Sequence, residues 1–590
     1  MYSKKTMMTF GLLAVLTLVL ASCAPATAPT PKPAAPVAPT TAPAAKPAAP
    51  TAPPAAKPAA PTAAPAAKPA ASPAVKPAAP AATPKPAAEQ PRSGGIFNIC
   101  TGGDPISLDL HQEVSFLTQN VVQCAYNGIT QLDPENPEEV IGDLAKSWDI
   151  SKDGLTYTFQ LHDGVKFHDG TALAAEDVKF SFDRQVNPPK GIRAPRRADL
   201  AAIDRIDVPD KNTVRFILKY PSGPFMDVIS TGFQGTYSKA FVEKKGDMKK
   251  EVMGSGPFKF KGYAIGTSLE YVKNPDYFVK GRPYLDGITI FIIKDAATRL
   301  AAFRTGQIKQ SALATSGLSA ADAEIIKKTM PQASLTPYSS FNHDNILLNT
   351  QEKPWTDIRV RKAVHLAIDR QAAIEVLSRG FAEQGSYMPG KWGVPKDELL
   401  KMPGWRQPKD ADIADAKRLL AEAGYPQGFT VKALIRAGTK YENVGVFMAD
   451  QLAKVGIKLE LDVKEAAVRT AMLNQGTYNC HPGSATLNYP DPQNVTRYWA
   501  APNGDDWGSN WPRFRDEQVL ELFDKQSRAV DPAERKKIVR DLDLRLIDVA
   551  VRPIVQWNHN ILALSPDVRG RGKLIGDYSF QKYQDVWLAK

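Results

Sequence analysis

The side chains that most often carry chemistry are scattered along this sequence and form no recognisable catalytic motif. It contains no Gly-x-Ser-x-Gly, Walker A or His-Glu-x-x-His pattern, and its seven histidines never stand four residues apart. His162 and His168 flank an aspartate-containing turn, which is typical of a solvated hairpin more than of a metal site. His365 lies within an apolar helical pattern and predicts a core histidine. We therefore predict no catalytic residue, metal site or cofactor, and no enzymatic activity.

The cysteines indicate neither a metal site nor a redox motif. Cys100, Cys124 and Cys480 lie in the body of the chain without CxxC or zinc-like spacing. A Cys100–Cys124 disulfide and two buried thiols are both compatible with the sequence.

Aromatic residues give a clearer functional signal. Six of the nine tryptophans fall within residues 390–560, and Tyr489 and Tyr498 lie among them. Tryptophan offers a large rigid surface with one polar tip, which suits a pocket that closes on a small molecule as well as a packed core. The sequence thus favours a binding site in its second half.

The N-terminus has the pattern of an export signal and a spacer. Lys4 and Lys5 precede an apolar run over residues 7–21, which is too short to span a membrane and ends in Leu-Ala-Ser-Cys at residues 20–23. This ending resembles the lipobox of bacterial lipoproteins, and it implies a signal peptide over residues 1–22 and lipidation of Cys23. Residues 24–92 are rich in alanine, proline and lysine and predict a disordered stalk.

Charge argues against a nucleic-acid partner. Residues 24–92 carry a net charge of +6 and Lys4 and Lys5 add +2, which leaves +4 for residues 93–590 out of the total of +12. A nucleic-acid-binding protein concentrates basic charge on its folded body. The body of this protein is nearly neutral instead.

The body alternates strand and helix patterns. Residues 357–378 predict one helix capped by Asp357, and a strand, helix and strand over 429–435, 443–455 and 457–463 predict a βαβ unit. Asp531 can cap a helix over 532–549, which is followed by an apolar strand over 553–564. About 500 residues exceed one hydrophobic core, so the pattern predicts two α/β lobes.

Several motifs in this body occur together in one known family. They are Asp-Gly-Leu-Thr-Tyr-Thr-Phe at 153–159, Asp-Gly-Val-Lys-Phe-His-Asp-Gly-Thr at 163–171, Gly-Ser-Gly-Pro-Phe at 254–258, Asp-Ile-Arg-Val-Arg-Lys-Ala at 357–363 and Tyr-Pro-Asp-Pro at 489–492. With them, the body resembles the extracytoplasmic solute-binding proteins of ABC importers, in the dipeptide/oligopeptide/nickel-binding family (solute-binding protein family 5).

The resemblance implies a two-lobed periplasmic-binding-protein-like fold of type II, with a ligand cleft between the lobes. Lobe I would comprise residues 93–338 with 562–590, including an extra subdomain over about 131–215, and lobe II residues 339–561. The chain would cross between lobes at 335–347 and 554–563 and close by a hinge motion.

The resemblance also implies ligand-binding positions. In the peptide binders an aspartate that pairs with the peptide ammonium precedes the Tyr-Pro-Asp-Pro-like turn; here that position is Asn488, followed by Tyr489. A neutral amide binds an ammonium group less strongly than a carboxylate, unless Asp491 or a shifted carboxylate replaces it. Trp557 matches an aromatic position that faces the cleft, and we expect its loss to weaken binding at little cost to stability. The remaining predicted ligand-binding residues are Phe116, His111, Trp392 and Asn510.

The resemblance thus predicts a lipid-anchored, monomeric binding protein at the cell surface or in the periplasm, which delivers a small solute to an importer permease and its cytoplasmic ATPase. A di- or oligopeptide is the favoured solute. A nickel chelate, a sugar-type compound or an opine-like conjugate is the alternative, as is a sensor or chaperone-like lipoprotein without a transport role.

Overall fold

The computed structural model describes residues 89–136, 138–311, 317–487, 491–496, 510–574 and 582–589. Residues 87–590 form one compact unit. Cys23 and the predicted signal peptide lie outside the described residues, as does the predicted stalk except for its last four residues.

The described residues contain eighteen strands: β1 Ile96–Thr101, β2 Thr130–Leu132, β3 Val140–Gly142, β4 Ala145–Ile150, β5 Thr156–Leu161, β6 Ile203–Asp210, β7 Thr213–Leu218, β8 Phe258–Ala264, β9 Ser268–Lys273, β10 Gly287–Ile292, β11 Ser334–Leu348, β12 Ala382–Glu383, β13 Phe429–Arg436, β14 Ile457–Lys464, β15 Cys480–Thr486, β16 Ile554–Leu564, β17 Val568–Arg569 and β18 Trp587–Leu588.

Fifteen α-helices accompany them in the same residues: α1 Phe116–Val122, α2 Ala175–Val186, α3 Phe225–Ile229, α4 Lys239–Lys245, α5 Ala296–Arg304, α6 Ala320–Thr329, α7 Ile358–Ala367, α8 Arg370–Ser378, α9 Lys396–Leu399, α10 Asp410–Glu422, α11 Thr439–Ala453, α12 Ala466–Gln475, α13 Pro492–Thr496, α14 Glu517–Arg528 and α15 Pro532–Val549. Short 3-10 helices include Leu110–Gln112 and Gly390–Trp392.

Two four-stranded sheets form from the first half of the chain. One is mixed, in the order β1-β10-β9-β8, and the other is antiparallel, in the order β4-β5-β7-β6. The antiparallel sheet carries the 153–171 motif region, where Tyr157, Phe159 and Leu161 alternate inward. This alternation is the period-2 burial of a half-buried strand, as the sequence predicts.

A six-stranded sheet dominates the second half, in the order β12-β16-β11-β15-β13-β14. Strands β13 and β14 are parallel and α11 connects them, which confirms the predicted βαβ unit. Apolar residues of α7, α10 and α11 pack on this sheet in a core separate from that of the first two sheets. This is the mixed α/β fold that the sequence predicts.

The two predicted crossings are the two longest strands described. The antiparallel pair β11 and β16 runs from Ser334, opposite Leu564, to Asn345, opposite Ile554. One end also pairs with the segment that precedes β11, since Gln310 forms a bridge with Leu564. The lobe boundaries drawn from these crossings stay a prediction.

The single helix expected over residues 357–378 is wrong. Ile368 has an extended backbone (φ −74°, ψ 117°), which ends α7 one residue after Ala367. Asp369 then starts α8 by accepting hydrogen bonds from the backbone N–H groups of Gln371 and Ala372. An aspartate inside a helical pattern can cap a new helix, and periodicity alone does not reveal this.

The three described cysteines and His365 are buried core groups. Cys100, Cys124 and Cys480 are free and buried, so the alternative of buried thiols is correct for the first pair. His365 is buried against Trp405, as predicted, with ring centroids 4.7 Å apart. Nε2 of His168 lies 3.0 Å from the Gly256 carbonyl oxygen, and burial lowers the pKa of this imidazole to about 4.

Candidate solute-binding site

A cavity of about 860 Å³ lies beside the long strand pair β11 and β16. Its polar wall comes from these strands and from β15, and the ends of α8 and α11 and the segment 317–320 complete it. Phe116 of α1 contributes an aromatic ring from the first half of the chain. The volume suits a small organic solute.

Strand geometry explains why polar residues gather at this cavity. Asn342 and Asp344 are two positions apart on β11, so both side chains lie on the same face. On β16 the pairing shifts between Asp344 and Asn345: Ile554 pairs with Asn345 but Gln556 pairs with Asp344. Val555 is the extra residue of this bulge, and the bulge brings Gln556 and Asn558 to the cavity face.

Asp344 stands at the centre of the polar wall. Its carboxylate accepts hydrogen bonds from the Ser484 hydroxyl and from Gln556 Nε2, the latter at 2.9 Å. The residue is 1% exposed, and no salt bridge joins it to any cation in the described parts of the chain. It is also the one acidic side chain among the described residues that line the cavity.

Gln556 connects Asp344 to its neighbours. Besides Asp344, its Nε2 lies 2.6 Å from the Ser378 hydroxyl and 2.9 Å from Asn558 Oδ1. Its Oε1 is buried and has no hydrogen-bond partner among the described residues. At the rim, Lys440 Nζ donates to Asn342 Oδ1 at 3.2 Å. The wall is therefore a connected network of amide, hydroxyl and carboxylate groups.

Trp557 lies on the opposite face of β16 from Gln556 and Asn558. It is 4% exposed, its indole N–H donates to the Ser386 carbonyl oxygen at 2.9 Å, and the His343 ring packs on it at 4.6 Å. It does not line the described cavity. This burial argues against the expectation that its loss costs little stability.

The other predicted ligand-binding residues are dispersed. Phe116 lines the cavity, whereas His111 stacks on Tyr237 at 4.0 Å and its Nε2 lies 2.8 Å from the Gly235 carbonyl oxygen. Burial lowers the pKa of His111 to about 4. Asn510 is buried and braces its own loop, since its Nδ2 donates to the Phe514 carbonyl oxygen at 2.7 Å.

Asn488 and Tyr489 lie outside the described residues. Thr486, two positions earlier in the chain, lines the cavity, and its hydroxyl accepts a hydrogen bond from Asn342 Nδ2 at 2.8 Å. The prediction that Asn488 and Tyr489 contact the solute stays a prediction.

Asp491, which the sequence offers as a replacement ammonium anchor, is already engaged. Arg535 of α15 binds it through two nitrogens at 2.7 and 2.8 Å, and both side chains are nearly inaccessible. The Arg535 guanidinium also lies 4.8 Å from the Trp392 ring centroid. Trp392 thus packs on this ion pair and does not line the described cavity.

Asp227 of α3 adds a second carboxyl group to this ion pair. Burial, together with the adjacent Asp491 carboxylate, raises the pKa of Asp227 to about 7, although Lys391 and Arg535 oppose the shift. One end of this cluster comes from the first half of the chain and the other from α15.

Sequence reasoning missed the residues at the centre of the cavity, namely Asp344, Gln556, Asn558 and Ser378. One signal was available: the second predicted crossing strand is largely apolar at its two ends, yet carries Gln556, Asn558 and Asn560 at alternate positions. The bulge at Val555, which places Gln556 opposite Asp344, could not be predicted from the sequence pattern.

A mixed α/β fold of two lobes, with a polar cavity beside its two longest strands, is the architecture of a solute-binding protein. The chain belongs to the bacterial extracellular solute-binding proteins, family 5, whose sequence pattern matches residues 139–507.

Relatives and solved structures agree with this family. The glutathione-binding protein GsiB of Pectobacterium atrosepticum is 31% identical over 435 residues, which cover 69% of this chain and 80% of the relative. The periplasmic binding protein DppA of Helicobacter pylori, solved with the peptide STSA, is 26% identical with a TM-score of 0.65, covering 85% of this chain and 99% of that one.

A third similar protein was solved with a non-peptide ligand. The binding protein AgaA of A. tumefaciens R10, in complex with agropinic acid, is 28% identical with a TM-score of 0.64, covering 84% of this chain and 99% of that one. Within the described residues, no helix is long and apolar enough to cross a membrane.

Proposed function

We propose that this protein is the extracytoplasmic solute-binding component of an ABC importer and that it binds a peptide or a peptide-like solute. The observation that carries the proposal is the cavity beside β11 and β16, which combines a polar wall with an aromatic ring from the first half of the chain. A similar protein binds glutathione and another was solved with a tetrapeptide, which supports this class of solute.

In this proposal, β11 and β16 form both the hinge and one wall of the site. Phe116 contacts the solute when the lobes approach, and Trp557 supports the wall from behind. Closure around the solute then creates the surface that the permease recognises. Asn488 and Tyr489 are proposed to complete the site from the segment that follows Thr486.

An opine-like conjugate is the second candidate solute. The AgaA complex with agropinic acid favours it, and so does the presence of Asn488 where the peptide binders have an aspartate. Both solute classes would use the same cavity and the same importer.

Lipidation of Cys23 is proposed to hold the protein at the outer face of a membrane, with residues 24–92 as the spacer. A proline-rich segment adopts about 3.1 Å per residue, so these 69 residues would reach on the order of 200 Å. A Cys23→Ser variant should lose metabolic labelling with a palmitate analogue and leave the membrane fraction.

Calorimetry on the full chain, extracted in mild detergent, tests the proposed function. Glutathione, the peptide Ser-Thr-Ser-Ala and agropinic acid are titrated separately. The proposal expects saturable binding of at least one of the two peptides, and binding of agropinic acid alone would select the second candidate. If none of the three binds, the proposal is wrong.

A further inference from the structure

Among the described residues, no positively charged side chain forms a salt bridge with the buried carboxylate of Asp344. Its two described hydrogen-bond donors, the Ser484 hydroxyl and the Gln556 amide, are both neutral. Transfer of a carboxylate away from water is costly unless the charge is paired. The cavity is the side from which a cation can reach it, because Asp344 lines that space.

The unpartnered amide oxygen of Gln556 is a second and independent indication. Gln556 is 1% exposed and lines the same cavity, yet its Oε1 accepts no hydrogen bond from the described residues. Its orientation is fixed, because Nε2 faces three acceptors, on Asp344, Ser378 and Asn558. An inverted amide would bring Oε1 against the Asp344 carboxylate. A donor from a bound molecule would satisfy this oxygen.

The other charges near the cavity do not satisfy Asp344. Lys440 at the rim binds Asn342, and His559 lies 3.4 Å from Glu383. Asp491 cannot take over the role of Asp344, since Arg535 holds both of its oxygens. The Asp344 carboxylate thus has no cation, and the neighbouring Gln556 amide oxygen has no donor, among the described residues.

We propose that Asp344 and Gln556 form the subsite for a primary ammonium group of the transported solute. An ammonium group carries one positive charge and three N–H donors, which match a carboxylate and an adjacent amide oxygen. This inference rests on the proposed function. It identifies the solute as one with a free amine and assigns the role of the ammonium anchor to the crossing strand β11.

The test compares Ser-Thr-Ser-Ala with its N-acetylated form by calorimetry on the full chain. Acetylation removes the charge and leaves the remainder of the peptide unchanged. A hydrogen bond to a charged group contributes about 1.5–3 kcal/mol, so the free amine should bind about 10- to 100-fold more tightly. Glutathione and its N-acetylated form provide a second pair of probes.

The Asp344→Asn variant should bind the free and acetylated peptides with equal affinity, close to that of the acetylated peptide on the unchanged chain. Asp541→Asn is the matched control, because Asp541 is an exposed residue of α15 that does not line the cavity. It should retain the full preference for the free amine. The comparison of the two peptides on the unchanged chain requires no variant, so it also decides the case if Asp344→Asn does not fold.

Two results would overturn the subsite while leaving the proposed function intact. One is equal binding of free and acetylated peptides by the unchanged chain, and the other is an undiminished preference for the free amine in Asp344→Asn. Absence of binding by both free-amine probes would refute the peptide-binding proposal, and the subsite with it.

Discussion

Replacement of Trp557 by alanine should destabilise the protein strongly. The indole is almost fully buried and packs on His343, so its removal leaves a large cavity in the core. Substitutions of this kind cost about 3–5 kcal/mol of unfolding free energy. The Ser386 carbonyl oxygen also loses its indole N–H donor, which adds about 1 kcal/mol.

Urea unfolding followed by far-ultraviolet circular dichroism measures this loss. Trp557→Phe retains an aromatic ring but removes the N–H donor, and it should cost about 1–2 kcal/mol because the Ser386 carbonyl is left unpaired. Trp148→Ala is the matched control for loss of a partly exposed tryptophan, and its cost should be smaller. If Trp557→Ala lowers the free energy of unfolding by less than about 1 kcal/mol and weakens solute binding, Trp557 has no structural role in the core and is a cleft residue instead.

The remaining predictions concern charge and backbone. In the folded protein the pKa of Asp227 is raised to about 7. Protonation of Asp227 therefore stabilises the fold, fully below about pH 4, and this stabilisation is lost as pH rises through 7. Asp227→Asn should therefore raise the melting temperature relative to the unchanged chain at pH 8 but not at pH 4, and an equal shift at both would contradict the assignment. Arg535→Met leaves the buried Asp491 carboxylate unpaired and should cost about 3–5 kcal/mol of unfolding free energy, measured in urea. Arg528→Met breaks only the exposed salt bridge with Asp524 and should cost under about 1 kcal/mol. Equal costs for the two variants would contradict this prediction. Gly428→Ala places a Cβ 1.8 Å from a facing backbone oxygen and should lower the melting temperature far more than Gly424→Ala, where the left-handed backbone is similar but the space is open.

The sequence was informative where the pattern is local and repetitive. The βαβ unit and the helix over 532–549 follow from apolar periodicity and capping residues, and the structure confirms both. The break at Ile368 was not predicted, because Asp369 starts a new helix without interrupting the apolar stripe.

The site was predictable only in part. Family resemblance predicted crossings that include β11 and β16, which border the cavity, and it predicted Phe116, which also lines the cavity. Trp557 and Gln556 point to opposite faces because they are consecutive strand residues, but their register against β11 depends on a bulge at Val555 that no sequence pattern reveals. The engagement of Asp491 by Arg535 joins residues 44 positions apart, and no local pattern encodes such a contact.

Mass spectrometry of the small molecules released when the natively purified full chain is unfolded tests the proposed solute class most directly. A deep cavity that closes on its solute can retain it through purification. We expect release of short peptides or of a peptide-like compound that carries a free primary amine. Stoichiometric release of a compound with neither a peptide bond nor an amine would contradict it.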